Sequence, residues 1–347
     1  MRRQRVSTSL IASRGRIAVR GRIASRGRTL AVLGFAIALL APAACGSSSN
    51  KGTTAAPGKP DKVNTGVIAI VDVAPIYLGK QQGFFSKRNI DLALNTAQGG
   101  AVIVPSVVSG QYQFGFSNVT SLLLAQANGL PLKVVANGVA STGQQGKDFG
   151  AVVVKNDSPI KTAADLAGHS VSVNNLKNIG DTTIRASVRK AGGDPKAIKF
   201  VELSFPDAPP ALQAGRVDAI FVVEPFLTIA LNQGARIVAS PYVDPAPNLT
   251  VATYFTTTQL ATSNPDLVAR FTAAMKESLQ YADSHPDAVR GVLNTYTQIA
   301  GDVRAKLTLP KWPTDINRQA VQTLADLATG DGLLTKAPDL NALLPSS

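Results

Sequence analysis

Short polar side chains and carboxyl groups in this sequence gather where β-rich runs give way to helical ones. Asp72 and Tyr77 follow the first such run, Ser117 and Asn118 the third, and Asn137 the fourth. A second group holds Asn174, Asn175, Asp181 and Thr182, and Glu224 stands directly before Pro225. Side chains of these types hold a small molecule by hydrogen bonds rather than by making or breaking covalent bonds. Residues 118–120 and 180–183 each read as the opening of a helix, where free N–H groups and the helix dipole favour an anion. The same residues are ordinary N-caps, worth about 1 kcal/mol with no ligand present, so both readings stand. Asp72 and Glu224 instead suit N–H groups or positive charge. Glu224 has a plainer reading as an acid in the first turn of a helix that Pro225 starts. Tyr77, Phe205 and Phe226 offer ring faces, with core packing the simpler role for either Phe.

Catalysis is not expected. His169 sits in a turn before a strand and His285 at a helix end, neither beside a partner motif. The sequence holds no H-E-x-x-H, no G-x-S-x-G, no phosphate-binding glycine loop and no C-x-x-C, and its single cysteine is Cys45. No cofactor or metal is expected. Aromatic residues make up 5% of the chain, which argues against a site that stacks sugar rings.

The elements that must position these groups alternate. From Val63 onward, short β-rich runs at 63–71, 90–95, 113–117 and 132–138 are interleaved with helical runs at 75–85, 101–110 and 121–129. The rhythm restarts at 149–155 and continues with strands at 170–174, 198–203, 217–223 and 235–240 and helices at 181–193, 207–215 and 225–234. One more strand at 251–257 precedes a mostly helical tail with runs at 265–285, 286–296 and 314–330. Such alternation predicts α/β architecture. Two α/β blocks and a tail predict a hinged clamshell, with mixed sheets flanked by helices. Residues 63–152 and 253–347 are expected to form lobe 1 and 153–252 lobe 2. The chain is expected to cross between lobes at 150–156 and 249–254. Ligands of open α/β sheets bind outside the carboxyl ends of the strands, so two such edges should face each other.

The net charge of +13 suggests nucleic acid until its distribution is seen. Nine of the 35 basic residues are arginines between Arg2 and Arg28, within and before the repeat IASRGR-IAVRGR-IASRGR, while the first of the 22 acids is Asp61. Without that segment the charge is +4, so no nucleic-acid partner is expected. An uncharged apolar run at 29–41 follows. As a helix it spans about 20 Å, short of a hydrocarbon core of roughly 30 Å. Basic residues, a short apolar run and then small residues read as a signal peptide over 1–44. Ala43-Ala44-Cys45-Gly46 resembles a bacterial lipobox, with Pro42 where an aliphatic residue is usual. Cys45 is thus the expected lipidation site, and the alternative is ordinary cleavage after an A-x-A pattern. Residues 45–62 are rich in Gly, Ser, Thr, Ala and Pro and read as a flexible tether.

Several stretches resemble one family. Pro75-Ile76-Tyr77 leads to Gly83-Phe84-Phe85; Gly110-Gln111-Tyr112-Gln113-Phe114-Gly115 resembles "G-x-x-D-F-G", with Gln113 where Asp is common. Gly129-Leu130-Pro131-Leu132, then IKTAADLAG at 160–168, then 211–219 followed by Glu224-Pro225-Phe226 complete the order. Together they resemble the substrate-binding proteins of ABC importers, in the branch for sulfonates, taurine, nitrate and thiamine-precursor pyrimidines. The resemblance implies a two-lobed periplasmic-binding-protein fold of the second type. It implies a monomeric, exported protein on the outer face of the cell membrane, with a small-molecule ligand and an ABC permease as partners. A sulfonate-like anion is the first ligand expected, and a thiamine-precursor pyrimidine or other nitrogen heterocycle the second. An interaction lipoprotein without a transport role is a third reading.

Overall fold

The computed structural model describes residues 58–345. The expected signal peptide, Cys45 and nearly all of the tether lie outside the described residues. The tether's expected last residues, Asp61 and Lys62, already belong to the first strand. Asp61 accepts a hydrogen bond from Arg270 at 2.6 Å there.

Ten strands run in chain order: β1 (Asp61–Val67), β2 (Ile90–Thr96), β3 (Phe114–Asn118), β4 (Leu132–Ala140), β5 (Gly150–Lys155), β6 (Ser170–Val173), β7 (Lys199–Glu202), β8 (Ala219–Val223), β9 (Ala235–Ala239) and β10 (Thr250–Thr257). They form two five-stranded sheets with one topology, β2-β1-β3-β10-β4 and β7-β6-β8-β5-β9. In each sheet four strands run in one direction and the fifth is inserted antiparallel among them: β10 between β3 and β4, β5 between β8 and β9. Each inserted strand is the first one the chain makes after crossing from the other sheet. The expected crossings at 150–156 and 249–254 are therefore corrected: those residues are interior strands, and the chain crosses at 141–149 and 240–249. Both inserted strands are buried over almost their whole length, which suits the apolar run of β5, while β10 buries Thr250, Thr253 and Thr256 among its apolar residues.

The helices are α1 (Ala74–Gln81), α2 (Gly100–Val108), α3 (Val119–Ala127), α4 (Ile179–Lys190), α5 (Ala208–Gln213), α6 (Phe226–Asn232), α7 (Thr258–Ser263), α8 (Pro265–Ser284), α9 (Pro286–Val292), α10 (Gly301–Lys306), α11 (Arg318–Gly330) and α12 (Leu340–Leu343). α1 stops four residues before the expected helix does. Gly83 takes φ 77°, its N–H reaches Lys80 O, and Phe84 N–H reaches Gly79 O. This pair of bonds closes a helix end. β1 likewise ends at Val67 rather than Val71, because residues 68–70 leave the sheet and enter a short 3-10 turn at Val71–Val73.

α8 carries the largest apolar contribution to the first lobe's core. Its buried Leu267, Phe271, Ala274, Met275, Ser278, Leu279 and Ala282 follow helical spacing, and Phe271 stacks on Phe114 at 3.7 Å. The tail does not stay on one lobe. α10 packs on α6, and α11 packs on both α3 and α4. Arg189 of α4 pairs with Asp331 just after α11 at 2.6 Å, and Asp331 is almost fully buried.

Candidate functional site

The carboxyl ends of the two parallel strand sets face each other across a cleft. Between them lies a cavity of about 430 Å³, lined by residues 68–70 and 96–98 after β1 and β2, by 204–207 after β7, and by Phe226 after β8. Its walls are mainly apolar: Ile68 and Ile70 on one side, with Phe205 and Phe226 on the other, their rings near-parallel with centroids 6.3 Å apart. The polar members are Thr96, Gln98, Ser204 and Asp207.

The lobes touch beside this cavity. The N-terminus of α3 meets that of α4, where Asn178 Nδ2 donates to Ser121 Oγ at 2.9 Å. Asn118 is the N-cap of α3, accepting from Ser121 N–H at 2.9 Å. Asn178 caps α4, two residues ahead of the opening expected at Gly180. Nearby, Gly99 lies so close to the other lobe that a Cβ there would overlap Asn175 Oδ1, with Asn174 Nδ2 at 3.2 Å. A side chain there would have to push the Asn175 amide aside.

The junction behind the cavity is held by Glu224. Its N–H donates to Phe149 O at 2.9 Å, and its carbonyl accepts from Val71 N–H at 3.0 Å. Its carboxylate accepts from Thr228 N–H at 3.0 Å, Thr228 Oγ1 at 2.8 Å and Thr308 N–H at 3.0 Å. The side chain is therefore occupied by the protein itself. Burial raises its pKa, and these hydrogen bonds oppose the rise.

Asp72 is different. It is 3% exposed, and its Oδ1 has no hydrogen-bond partner among the described residues. Burial pushes its pKa up to about 8; its own backbone N–H opposes this, and the like charge of Asp148 adds to it. Trp312 Nε1 donates to the Asp72 carbonyl at 3.1 Å, which fixes Trp312 as an anchor for the tail. Tyr254 and Tyr296 are raised well above ordinary phenol values by burial first, then by the charges of Tyr77 and Asp72. The Tyr254 hydroxyl is also buried without a partner. Tyr77 stacks on Tyr296 with ring centroids 3.9 Å apart. Burial raises Tyr77, and a hydrogen bond with Thr96 opposes it.

Asp181 is 4% exposed; its Oδ2 accepts from Lys177 N–H at 3.1 Å and its Oδ1 is unpartnered. Burial raises it to about 6, against the Lys177 bond and the charge of Arg185. Thr182 is buried and donates to Asn178 O at 3.1 Å, inside its own helix. Asn137 lies away from the cleft. Its amide donates to Pro313 O at 2.7 Å and Asp315 O at 3.1 Å, and it lines a separate cavity beside Thr272 and Lys276. Ser117, buried at the end of β3, packs against Gly100 at the start of α2.

Of the ten residues expected at the site, Asn118, Asn174 and Asn175 stand at the lobe contact, while Asp72 and Tyr77 cluster at the junction. Glu224 and Thr182 spend their hydrogen bonds internally, and Asn137 does so with its amide N–H groups while its Oδ1 has no partner among the described residues. Residues 68–70, 96–98 and 204–207, with Phe226, Ser121 and Asn178, were not among the ten. Position after a strand end was the signal for the cavity segments. Asn178 preceding Ile-Gly-Asp was the signal for the cap.

Two sheets of this topology, swapped twice and joined by a cleft at their strand ends, define a two-lobed periplasmic-binding-protein fold. The periplasmic aliphatic sulphonate binding protein SsuA from Escherichia coli has it, with TM-score 0.68 and 23% identity over 83% of this chain and 93% of that one. The chain belongs to the NMT1/THI5-like family, whose model matches residues 70–289. A putative thiamine biosynthesis protein of Haemophilus influenzae is 24% identical over 283 residues, 77% of this chain and 85% of that protein. A putative aliphatic sulfonates-binding protein of Escherichia coli is 30% identical over 159 residues, 45% of this chain and 48% of its own length.

Two outcomes are expected. Asp72 and Asp181 both hold a proton in the folded state that the unfolded chain releases near pH 4. Their contribution to stability is greatest below that pH and is lost as pH rises through about 6 for Asp181 and about 8 for Asp72. Between pH 6 and 8 one such proton gives a slope of about −1.4 kcal/mol per pH unit. Urea denaturation across pH 5–9 should show this fall, and Asp72→Asn should remove its upper part. Separately, Gly99→Leu should hold the lobes apart. Small-angle scattering should give a larger radius of gyration than wild type, with the melting temperature nearly unchanged; an unaltered radius would show that the Gly99–Asn175 approach does not limit closure.

Proposed function

We propose that the chain is an exported, lipid-anchored solute-binding protein that captures a small organic solute between its lobes. It hands the closed form to an ABC permease driven by a separate ATPase. One observation carries this reading: the cavity of about 430 Å³ lies between two strand-end edges of a family member's two sheets. Its size falls within the range of small-molecule sites, about 300–1,000 Å³. Hinge closure about the two crossings, 141–149 and 240–249, is the motion such a fold permits.

The signal peptide at 1–44 and lipidation of Cys45 complete the reading. No helix among the described residues is long and apolar enough to cross a membrane; the proposed anchor is a lipid on Cys45. Asp72, Tyr77, Asn118, Asn174 and Asn175 are proposed to act in capture or closure. Of the two solute classes that the sequence leaves open, a nitrogen heterocycle suits the lining better than a sulfonate, since no lysine or arginine lines the cavity.

A thermal-shift screen of sulfonates, nitrate, pyrimidines and amines tests the function. A true solute stabilises the fold by about 2.7 kcal/mol at a hundredfold excess over its Kd. A blank screen would favour the interaction-lipoprotein reading, and turnover of a compound would make the protein an enzyme. Cys45→Ser should move the protein from the membrane fraction to the medium, as followed by immunoblot; retention in the membrane would remove the lipid anchor from the proposal.

A further inference from the structure

A helix that touches both halves of a hinged molecule should lock them together. α11 does touch both, through α3 in the first lobe and α4 in the second. The places of its two ends remove the conflict. At the N-terminal end, Asn317 Nδ2 donates to Pro247 O and Asn248 O at 3.3 Å, and Asn317 N–H donates to Thr250 Oγ1 at 3.0 Å. These acceptors belong to the second crossing and to the start of β10. At the C-terminal end, Asp331 pairs with Arg189 in the last turn of α4 at 2.6 Å. The next residue, Lys190, pairs with Asp244 on the same crossing at 3.0 Å. α11 thus runs alongside the second crossing, over the length of about 20 Å that a helix of its size spans.

The two crossings lie side by side. Ser141 N–H donates to Leu249 O at 2.9 Å, Gly146 N–H to Ser240 Oγ at 2.9 Å, and Gln145 Nε2 to Asp244 Oδ1 at 2.7 Å. Asp244 also accepts from Ser187 Oγ of α4 at 2.6 Å. One carboxylate on the hinge therefore gathers the first crossing and the end of α4. The Asp331 side chain is only 6% exposed, and its Oδ2 has no partner among the described residues. Removing Arg189 from it would leave a buried charge uncompensated, so the pair resists separation.

α4 points from this hinge to the rim of the cleft. Its N-cap Asn178 holds Ser121 of the first lobe, while its last turn holds Asp244 and Asp331. From Asn178 to Arg189 the helix rises about 16 Å. A turn of about 20° around the Arg189 end carries Asn178 roughly 6 Å, which breaks its bond to Ser121, and displaces Arg189 hardly at all.

Resting on the hinge closure proposed above, we infer that α11 is the axle of the clamshell. It lies along the line about which the lobes turn, and Arg189, Asp331 and Asp244 form a pivot that persists while Asn178 and Ser121 part.

Pairs of spin labels read by double electron–electron resonance test this with no solute present. Val108→Cys with Leu176→Cys places one label on each lobe, and Ala191→Cys with Thr329→Cys places both at the hinge. All four positions are exposed, and Cys45→Ser removes the natural thiol. Gly99→Leu supplies the opened form. It should lengthen the distance between the lobe labels by several ångströms and the distance between the hinge labels by less than half as much. A hinge distance that grows as much as the lobe distance would overturn the inference. Asp331→Ala, made with Gly99 intact, covers the case in which Gly99→Leu fails to fold or to open. It should widen the spread of the hinge distance about twofold by freeing one end of α11; an unchanged spread would overturn the inference as well. Either contrary result leaves the solute-binding function standing, since neither measurement involves a solute.

Discussion

Among the contacts between the two lobes, one residue joins three segments through both its backbone and its side chain. Glu224 sits at the end of β8 in the second sheet. It gives its N–H to Phe149 on the first crossing, takes the N–H of Val71 at the start of the first lobe's 3-10 turn, and takes the N–H of Thr308 in the tail. Three segments that are distant in sequence are thereby fixed at one point. A buried carboxylate is tolerable only when its oxygens are hydrogen-bonded. Glu224 meets that condition entirely with protein donors, so it acts as a structural node. The cleft follows from it: with β8 held against the 68–73 segment at its base, the strand-end loops beyond must face each other across a gap.

Asp72 stands within reach of the same node and fails that condition. Its carbonyl is used by Trp312, yet one carboxyl oxygen has no partner. Around it the protein has placed the tyrosines 77, 254 and 296, which supply ring faces and hydroxyls and no positive charge. Natural interiors rarely leave such a group unsatisfied without a reason in function. Two acids of the same junction thus differ, one with both oxygens satisfied and one with an oxygen open, a difference that residue type does not reveal.

Much of the fold could be read from the chain. β-branched runs such as 150–155 and amphipathic runs such as 265–284 have different periods, and those periods placed most elements within a few residues. What escaped was non-local. Nothing in the sequence of 150–155 or 250–257 says that each strand inserts antiparallel into the sheet it has just reached, because that depends on partners far along the chain. The short helices α7, α10 and α12 carry too few residues for a period to show. At the site, strand-end position pointed to loops that the structure places beside the cleft. It could not tell that Asn137 is tied to Pro313 and Asp315, or that Glu224 is tied to Thr228 and Thr308, since a side chain's free valence is a property of tertiary contacts.

The repeated topology also explains why closure concentrates on so few atoms. Each lobe is a sheet packed by helices, and each inserted strand begins at a crossing, so rotation of one lobe against the other turns on the two crossings and must also move the tail, whose α11 touches both α3 and α4. Rigid bodies turning about such a hinge touch first at the rim. In this molecule the rim contacts are Ser121 with Asn178, and Gly99 with Asn174 and Asn175. All five side chains are small or short, and the approach at Gly99 leaves no room for a Cβ. A larger residue at that position would stop the rotation early, and the cavity behind it would stay open to water.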